Sequence, residues 1–300
     1  MCNSITLNEK YSIPGLIEFV DNDQGALVAR VETSQGTMEV AHQGAQLLFW
    51  TPKDQVPVIW LSPQAKFKSG KSLRGGSPVC WPWFGSHPEN TSLPSHGFAR
   101  NLEWRVLETS QLGDAVRITM IFEPGEEQQK YWPHLAELTL SITMGEALEM
   151  ALTTHNTGKT QFTISQALHT YFNVGDIAKI RLEGLEGKEY IDKVDGETLR
   201  QQHGVITIDR EVDRIYLDCP EDLVIVDEVL KRRVRIARQG SNSAVVWNPW
   251  VEKGAAFGDM GEEGYRNMLC VETTNAAKDT VTLKPGESFT QVSQYTVESF

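Results

Sequence analysis

Polar and apolar residues alternate along much of this chain, and this alternation restricts the possible fold more than any other feature of the sequence. Successive side chains of a β-strand point to opposite faces of a sheet, so an alternation of period two predicts strands with one buried face. The clearest runs are residues 116–122, 137–143 and 149–155. Shorter strands are predicted at 161–168, 205–208, 223–226, 233–237, 244–247, 280–283 and 288–297.

Turn-forming residues separate these runs, as at Asn156-Thr157-Gly158, Asp195-Gly196 and Pro285-Gly286. Helical periodicity is weak, and only residues 126–132 and 227–233 suggest short helices. Because strands do not alternate with long helices, the sequence argues against a Rossmann fold or a TIM barrel. We therefore predict an all-β fold, a large antiparallel β-sandwich with few short helices, built as a single domain over residues 1–300.

The charge of the chain limits its partners. The formal net charge is −12 at pH 7, and such an acidic surface repels nucleic acids and anionic membranes, so we expect neither as a partner. An anionic substrate would need a local cluster of basic residues. No apolar run approaches the roughly 18 residues that span a bilayer. Residues 1–5 lack the pattern of a signal peptide, so we expect a cytoplasmic protein, and we expect a monomer because nothing in the sequence demands an oligomer.

Cysteine and histidine spacing gives no sign of a metal centre. None of the seven histidines shows HxH or HxxxH spacing, and no two cysteines form a CxxC pair. The four cysteines, which we expect to be reduced thiols, are Cys2, Cys80, Cys219 and Cys270. Gly70-Lys71-Ser72 is similar to the end of a phosphate-binding P-loop, but Ala65 stands where that pattern needs glycine. We therefore predict neither a metal site nor a nucleotide-binding loop.

The stretches 73–84 and 96–100 are the strongest candidates for a binding site. They are rich in glycine and proline and contain Arg74, Trp81, Trp83, His96 and Arg100. Glycine lets the backbone approach a ligand closely, and a guanidinium group matches an anionic oxygen group. Tryptophan offers a flat apolar face, with core packing as the alternative for at least half of these aromatic residues. The mixture predicts a pocket for a flat-faced, hydroxylated anion, and a sugar phosphate fits this description.

Two ionisable residues lie in apolar, strand-like surroundings further along the chain. His169 ends the run 161–168, and a strand would hold its side chain rigidly. Glu272 lies within the apolar run 269–274, where a carboxylate is costly to bury unless it is paired or used. A structural role for His169 and a solvent-facing position for Glu272 remain as alternatives. Trp247 precedes a segment at 258–264 that is rich in glycine and acidic residues.

Six short motifs occur in a fixed order and together cover essentially the whole chain. They are RGGxPxCWPWFG (74–85), HGFAR (96–100), LHTYF (168–172), DRIY (213–216), WNP (247–249) and VET (271–273). This set resembles the hexose-6-phosphate mutarotases, also called glucose-6-phosphate 1-epimerases, a branch of the aldose 1-epimerase superfamily. Six ordered motifs are much more specific than any one of them.

The resemblance implies a supersandwich of the galactose mutarotase type with one open cleft, no metal and no organic cofactor. Carried over by motif position, His169 is expected to be the general acid and Glu272 the general base. The expected substrate-binding residues are Arg74, Ser95, His96, Arg100, Asp213 and Trp247. Ser95 stands where some members have glutamine. Leu73-Arg74 stands where mutarotases of free sugars typically have Asn-Arg, which favours the phosphorylated branch.

The implied reaction interconverts the α and β anomers of hexose 6-phosphates through ring opening. The base takes the proton of the C1 hydroxyl while the acid protonates the ring oxygen, from opposite sides of the hemiacetal. We expect a neighbouring carboxylate to keep His169 protonated near neutral pH. The sequence leaves open whether His96 or His169 is the donor, and whether the segment 258–264 closes over the site.

Three other functions remain compatible with the sequence. One is an epimerase of unphosphorylated aldoses, which a panel of substrates would distinguish. Another is a catalytically silent carbohydrate-binding protein, which would not need both His169 and Glu272. The last is an interaction or regulatory protein that uses the acidic surface, which would not need Arg74 and Arg100.

Overall fold

Two eight-stranded antiparallel sheets dominate the computed structural model, which describes residues 3–300 of the chain. The predicted all-β sandwich with few short helices is confirmed. The first sheet, termed the cleft sheet, contains β5 (Val79–Cys80), β11 (Gln166–Leu168), β12 (Tyr171–Asn173), β14 (Glu189–Asp192), β15 (Thr198–Gln201), β16 (Val212–Tyr216), β19 (Ser243–Asn248) and β20 (Met268–Asn275). Its strand order is β15-β14-β16-β19-β20-β11-β5, and β12 also pairs with β20.

The second large sheet, termed the back sheet, has the order β13-β17-β18-β22-β9-β8-β7-β6. Its strands are β6 (Arg105–Leu112), β7 (Ala115–Phe122), β8 (Ala136–Met144), β9 (Leu148–Asn156), β13 (Ile180–Glu183), β17 (Leu223–Asp227), β18 (Arg232–Gln239) and β22 (Ser288–Ser299). In β8 and β9 every second residue is buried, as the alternation predicts.

Smaller elements complete the fold. A four-stranded sheet contains β1 (Ile17–Asp21), β2 (Leu27–Thr33), β3 (Gly36–Ala41) and β4 (Leu47–Pro52), and a two-stranded sheet contains β10 (Phe162–Ile164) and β21 (Val281–Leu283). The α-helices are α1 (Ser4–Tyr11), α2 (Glu126–Gln129) and α3 (Trp250–Ala256). Short 3₁₀-helices lie at Ala99–Asn101, Ile177–Lys179 and Gly264–Asn267.

The inner faces of the two large sheets share one hydrophobic core. Val246 and Val271 of the cleft sheet belong to the same buried cluster as Leu140 and Ile236 of the back sheet. Polar contacts also join the sheets, since the hydroxyls of Thr170 and Tyr295 lie 2.7 Å apart. The other face of the cleft sheet is therefore free to carry a site. The prediction of a single domain stays a prediction.

Two sequence-based assignments are wrong. The helix predicted at 227–233 is the turn of the β17–β18 hairpin, in which Asp227 accepts hydrogen bonds from the backbone of Val229 and Leu230, each at 3.0 Å. An aspartate side chain that bonds the backbone in this way stabilises a turn rather than a helix. The strand predicted at 205–208 is reduced to one isolated bridge between Ile206 and Leu182.

Some elements were missed. The β1–β4 sheet was not singled out in the sequence, nor were α1 and α3. Helix α1 begins at an N-cap, where the side chain of Asn3 accepts a hydrogen bond from Thr6. Helix α3 leads into the segment 258–264 and sets it beside the cleft sheet. Cys2 lies outside the described residues.

Candidate functional site

The outer face of the cleft sheet forms the floor of a cleft of about 740 Å³. Directly paired residues of antiparallel strands point to the same face, so the strand register explains which side chains meet there. Ile215 pairs with Val245, and Val245 pairs with Glu272. Asp213 pairs with Trp247 in the neighbouring row. All five side chains line the cleft, whereas the intervening Val246 packs into the core.

His169 lies opposite Glu272 at an interruption of the sheet. Leu168, the last residue of β11, pairs with Thr273, and Tyr171, the first residue of β12, pairs with Cys270. The same register continued across the gap sets His169 against Glu272. At this point the backbone N–H of His169 donates to the carbonyl of Pro78 rather than to β20. The two predicted catalytic side chains are thereby held side by side on the cleft floor.

The His169 and Glu272 side chains are in contact and almost fully buried. Nε2 of His169 lies 3.3 Å from Oε1 of Glu272, and the side chains are 11% and 1% exposed. Oε2 of Glu272 and Nδ1 of His169 are buried and have no hydrogen-bond partner among residues 3–300. Buried polar atoms normally have partners, so these two atoms are free for a ligand.

Burial changes the proton affinity of both groups. It lowers the pKa of His169 well below 6.5, and His96 and Arg100 lower it further. It raises the pKa of Glu272 well above 4.5, with Asp213 adding to the shift and Arg100 opposing it. The expected carboxylate does lie beside His169, but burial disfavours charge on both partners and so opposes the expected protonation of the imidazole.

His96 faces the same pair from a loop. Its backbone is in the left-handed region, with φ of 65°, and its ring centre lies 5.6 Å from that of His169. The N–H of Gly85 donates to Nδ1 at 3.3 Å, so the neutral ring carries its proton on Nε2. Burial, together with the charge of Arg100, lowers the pKa of His96 to about 3. His96 is therefore a neutral hydrogen-bond donor at pH 7 and not an imidazolium acid.

Both predicted arginines line the cleft beside these histidines. Nη2 of Arg100 donates to the carbonyl of Ser95 at 2.9 Å, and its Nε is buried with no partner among residues 3–300. Nε of Arg74 donates to Oδ1 of Asp259 at 3.0 Å. The side chain of Ser95 lies at the exposed rim of the cleft.

Asp213 and Trp247 lie on the floor, away from the loops. Burial raises the pKa of Asp213, while Lys253 and Lys193 oppose this shift. Trp247 is 8% exposed, and its ring meets the ring of His169 edge to face at 6.1 Å between centroids. The structure thus brings all eight sequence-predicted site residues to one cleft.

Trp81 and Trp83 do not offer their faces to a ligand. Trp81 is fully buried and Trp83 is 5% exposed, and both belong to the main hydrophobic core. Nε1 of Trp81 donates to Thr154 at 3.0 Å, and Nε1 of Trp83 donates to Pro94 at 3.0 Å. The ligand-stacking role considered for them in the sequence is wrong, and core packing is their role. They support the loop that carries His96.

Several residues of the cleft were not identified from the sequence. Tyr171 and Phe257 contribute aromatic rings, and Lys193 and Lys253 contribute cations. Tyr171 had a usable signal, because it lies two residues after His169 and a strand points both side chains to one face. Lys193 pairs with Asp213 across β14 and β16 only in the folded sheet, so no local pattern revealed it.

Three potential metal ligands meet at the floor of the cleft. The donor atoms of His169, Cys270 and Glu272 lie within 4.8 Å of one another. Burial raises the pKa of the Cys270 thiol well above 9.0, whereas a metal ion binds the thiolate. The positive charges of Arg100 and Arg74 act on the same group of residues, since both lower the pKa of His169. This donor set fits a cation poorly, and the absence of a metal stays a prediction.

Comparisons with known proteins agree on one family. Residues 28–296 match the profile described as Aldose 1-epimerase. The chain is 41% identical over 249 residues, 83% of either chain, to an Escherichia coli K12 protein provisionally named glucose-6-phosphate 1-epimerase. It is 37% identical to a protein of Cenchrus ciliaris with the same provisional name, over 84% of this chain and 78% of that one.

A solved structure is similar over nearly the full length. The crystal structure of YeaD from Salmonella typhimurium, described provisionally as a mutarotase, superposes with a TM-score of 0.90 at 34% identity. The match covers 97% of this chain and 96% of that chain. None of the helices within residues 3–300 has the length and apolar character needed to cross a membrane.

Proposed function

Because this chain belongs to the aldose 1-epimerase family, we propose that it interconverts the α and β anomers of hexose 6-phosphates, with glucose 6-phosphate as a substrate. One observation carries the proposal: Glu272 and His169 are in contact on the cleft floor, beside the two arginines. The provisional name of the Escherichia coli relative adds support for the phosphorylated substrate. The site is then an acid/base pair next to a local basic cluster in an otherwise acidic protein.

In the proposed reaction, Glu272 removes the proton of the C1 hydroxyl and His169 donates a proton to the ring oxygen. The C1–O5 bond breaks, and the open aldehyde forms. Rotation about C1–C2 presents the other face of the carbonyl, and ring closure reverses the two proton transfers. The sequence predicts the acid and the base on opposite sides of the hemiacetal, whereas the two side chains lie side by side, 3.3 Å apart. Both reacting oxygens are bonded to C1, so in this proposal the pair reaches them together from one side.

The pair needs one proton in total for this chemistry. The reactive form has the proton on His169 and a charged Glu272, and burial disfavours both charges. After ring opening, the substrate's proton resides on Glu272 and His169 is neutral, which is the form that burial favours. The buried environment therefore favours the ring-opening step. Transfer of a proton between Nε2 of His169 and Oε1 of Glu272, which lie 3.3 Å apart, interconverts the two forms.

The remaining residues bind and orient the substrate in this proposal. Nε2–H of His96 donates a hydrogen bond to the ring oxygen or to a hydroxyl group. Asp213 accepts hydrogen bonds from sugar hydroxyls, and Trp247 covers the apolar face of the ring. Arg74 and Arg100 both donate hydrogen bonds to the substrate and make the cleft accessible to an anion in an acidic protein.

No metal ion and no organic cofactor take part in the proposed reaction. A cytoplasmic location is part of the proposal, since the described cysteines Cys80, Cys219 and Cys270 are buried, unpaired thiols. A monomeric single domain is the simplest form compatible with the site, because one chain supplies all of its residues.

The deciding experiment is NMR magnetisation exchange between the α and β anomers of glucose 6-phosphate, with free glucose alongside. We expect faster exchange of the phosphate with the wild-type protein and slow exchange with Glu272→Gln. Equal acceleration of both sugars would indicate an epimerase of unphosphorylated aldoses. No acceleration of either sugar, with ligand-induced shifts in the protein spectrum, would indicate a silent binding protein.

A further inference from the structure

The four cationic side chains that line the cleft differ in their partners. Three are ion-paired within the protein: Arg74 with Asp259, Lys193 with Glu197, and Lys253 with Glu211. Arg100 has no ion-pair partner among residues 3–300, and donates only to the carbonyl of Ser95. A phosphate gains most from a cation whose charge is not already compensated. The two arginines are therefore not equivalent toward an anionic substrate.

Arg74 is fixed on three sides. Its Nε donates to Oδ1 of Asp259 at 3.0 Å, and its Nη1 donates to the phenol oxygen of Tyr171 at 3.3 Å. The guanidinium lies over the ring of Phe257, 4.5 Å from its centroid. Asp259 is itself anchored, because its backbone carbonyl accepts the hydroxyl of Ser62 at 2.7 Å. Nη2 of Arg74 makes no hydrogen bond to the described residues and remains available in the cleft.

The anchor of Arg74 is joined to the acid/base pair. The ring of Tyr171 stacks on the ring of His169, with centroids 5.1 Å apart and an angle of 15° between the planes. Arg74 is therefore tied through Tyr171 to the acid/base pair, which acts on a part of the sugar that glucose 6-phosphate and glucose share. The charge of Arg100 also reaches His169 and Glu272, so the two arginines differ in charge compensation and not in distance from the pair.

We propose that Asp259 is a positioning residue that, together with Tyr171, fixes Arg74 as a charge-compensated donor to the sugar ring, and that selection of the phosphate rests on Arg100. The inference deepens the proposed function and depends on it for its kinetic test. Asp259 belongs to the segment 258–264, which thereby acts on the substrate through Arg74 without touching it.

The kinetic test compares kcat and KM for glucose 6-phosphate and for glucose. Asp259→Asn keeps the shape of the side chain and removes its charge. We expect kcat/KM to fall by about 3- to 30-fold for both sugars alike, with partial recovery in Asp259→Glu, because a misplaced Arg74 serves neither sugar well. Arg100→Met is expected to reduce the preference for the phosphate by about 10- to 150-fold, the size of one charge-assisted hydrogen bond.

The matched control is Glu263→Gln in the same segment, which loses an exposed ion pair with Arg266 at 2.8 Å. We expect its kinetics to match the wild type. A loss in Asp259→Asn confined to glucose 6-phosphate would overturn the division of roles, because Arg74 would then act on the phosphate. Unchanged kinetics in Asp259→Asn, or a loss in Arg100→Met that is equal for both sugars, would also overturn it.

A second readout does not depend on activity. The Nε–H of Arg74 gives an NMR signal that can be assigned by its loss in Arg74→Lys. Held by Asp259, this proton is expected to exchange slowly with water, and at least about 10-fold faster in Asp259→Asn. If the wild type is inactive on both sugars, the proposed function fails, while this measurement still tests whether Asp259 holds Arg74 in place. Equal exchange in wild type and Asp259→Asn would refute the positioning role.

Discussion

Nε2 of His169 lies 3.3 Å from Oε1 of Glu272, while Oε2 of Glu272 has no hydrogen-bond partner among the described residues. One carboxylate oxygen thus holds the imidazole and the other faces the position of a ligand. The strand register fixes this arrangement, because the two residues occupy opposite positions on neighbouring strands. Both side chains are buried, so each has little freedom to move away.

The first prediction concerns the acid/base pair. Glu272→Gln and His169→Asn are each expected to lower kcat by at least about 100-fold, because each removes one proton-transfer partner. The double variant is expected to lose little more than either single variant, because the pair shares one proton and acts as a unit. Magnetisation exchange measures the rates, and thermal unfolding checks the fold. Near-normal turnover in either single variant would contradict the assignment.

The second prediction concerns metal ions. The donor set of His169, Cys270 and Glu272 includes a thiol whose pKa is raised by burial, and positive charges lie nearby. We therefore expect dialysis against a strong chelator to leave the anomer-exchange rate within about twofold of the untreated rate. Cys270→Ser tests the same point, since it removes the only sulfur of the set. A rate that collapses with chelator and returns with added Zn²⁺ would show that the chemistry depends on a metal.

The third prediction concerns stability and pH. The imidazole of His96 has a pKa of about 3 in the folded protein, against 6.5 when unperturbed. Between these values the unfolded chain binds a proton that the native protein does not, so the free energy of unfolding falls as the pH falls. One such residue contributes a slope of at most about 1.4 kcal/mol per pH unit.

His96→Asn tests this slope, because asparagine tolerates the left-handed backbone at this position. Urea unfolding between pH 4.5 and 7 measures this slope. In the variant, the free energy of unfolding is expected to fall less steeply as the pH falls, and the difference in slope is at most that of one bound proton. Identical slopes in wild type and His96→Asn would mean that His96 titrates normally in the folded protein.

The fourth prediction separates two tryptophans. Trp81 is fully buried and donates a hydrogen bond to Thr154, so Trp81→Leu is expected to lower the free energy of unfolding by about 2 to 4 kcal/mol. Trp247 lines the cleft, so Trp247→Leu is expected to raise KM several-fold at a smaller cost in stability. Urea unfolding measures the free energy of unfolding of both variants, and steady-state kinetics measure their KM. A larger stability loss in Trp247→Leu would reverse the two roles.

Local sequence patterns predicted strands of the two large sheets more accurately than any other element. Residues 137–143 alternate strictly and residues 149–155 alternate in part, and they form β8 and β9 within one residue at each end. The helix predicted at 227–233 is wrong because the side chain of Asp227 accepts hydrogen bonds from the backbone of Val229 and Leu230 and so stabilises a turn. Helix α3 was missed because glycine and aromatic residues surround it.

The sequence by itself determined the fold class, because this depends on local alternation, and it indicated the eight candidate site residues through short motifs that resemble those of a known family. Only the tertiary structure decided which side chains meet. Strands distant in the chain bring His169 to Glu272 and Asp259 to Arg74, and loop packing buries Trp81 and Trp83. Burial also lowers the pKa of His169, and the local sequence does not reveal this because desolvation depends on everything packed around a group.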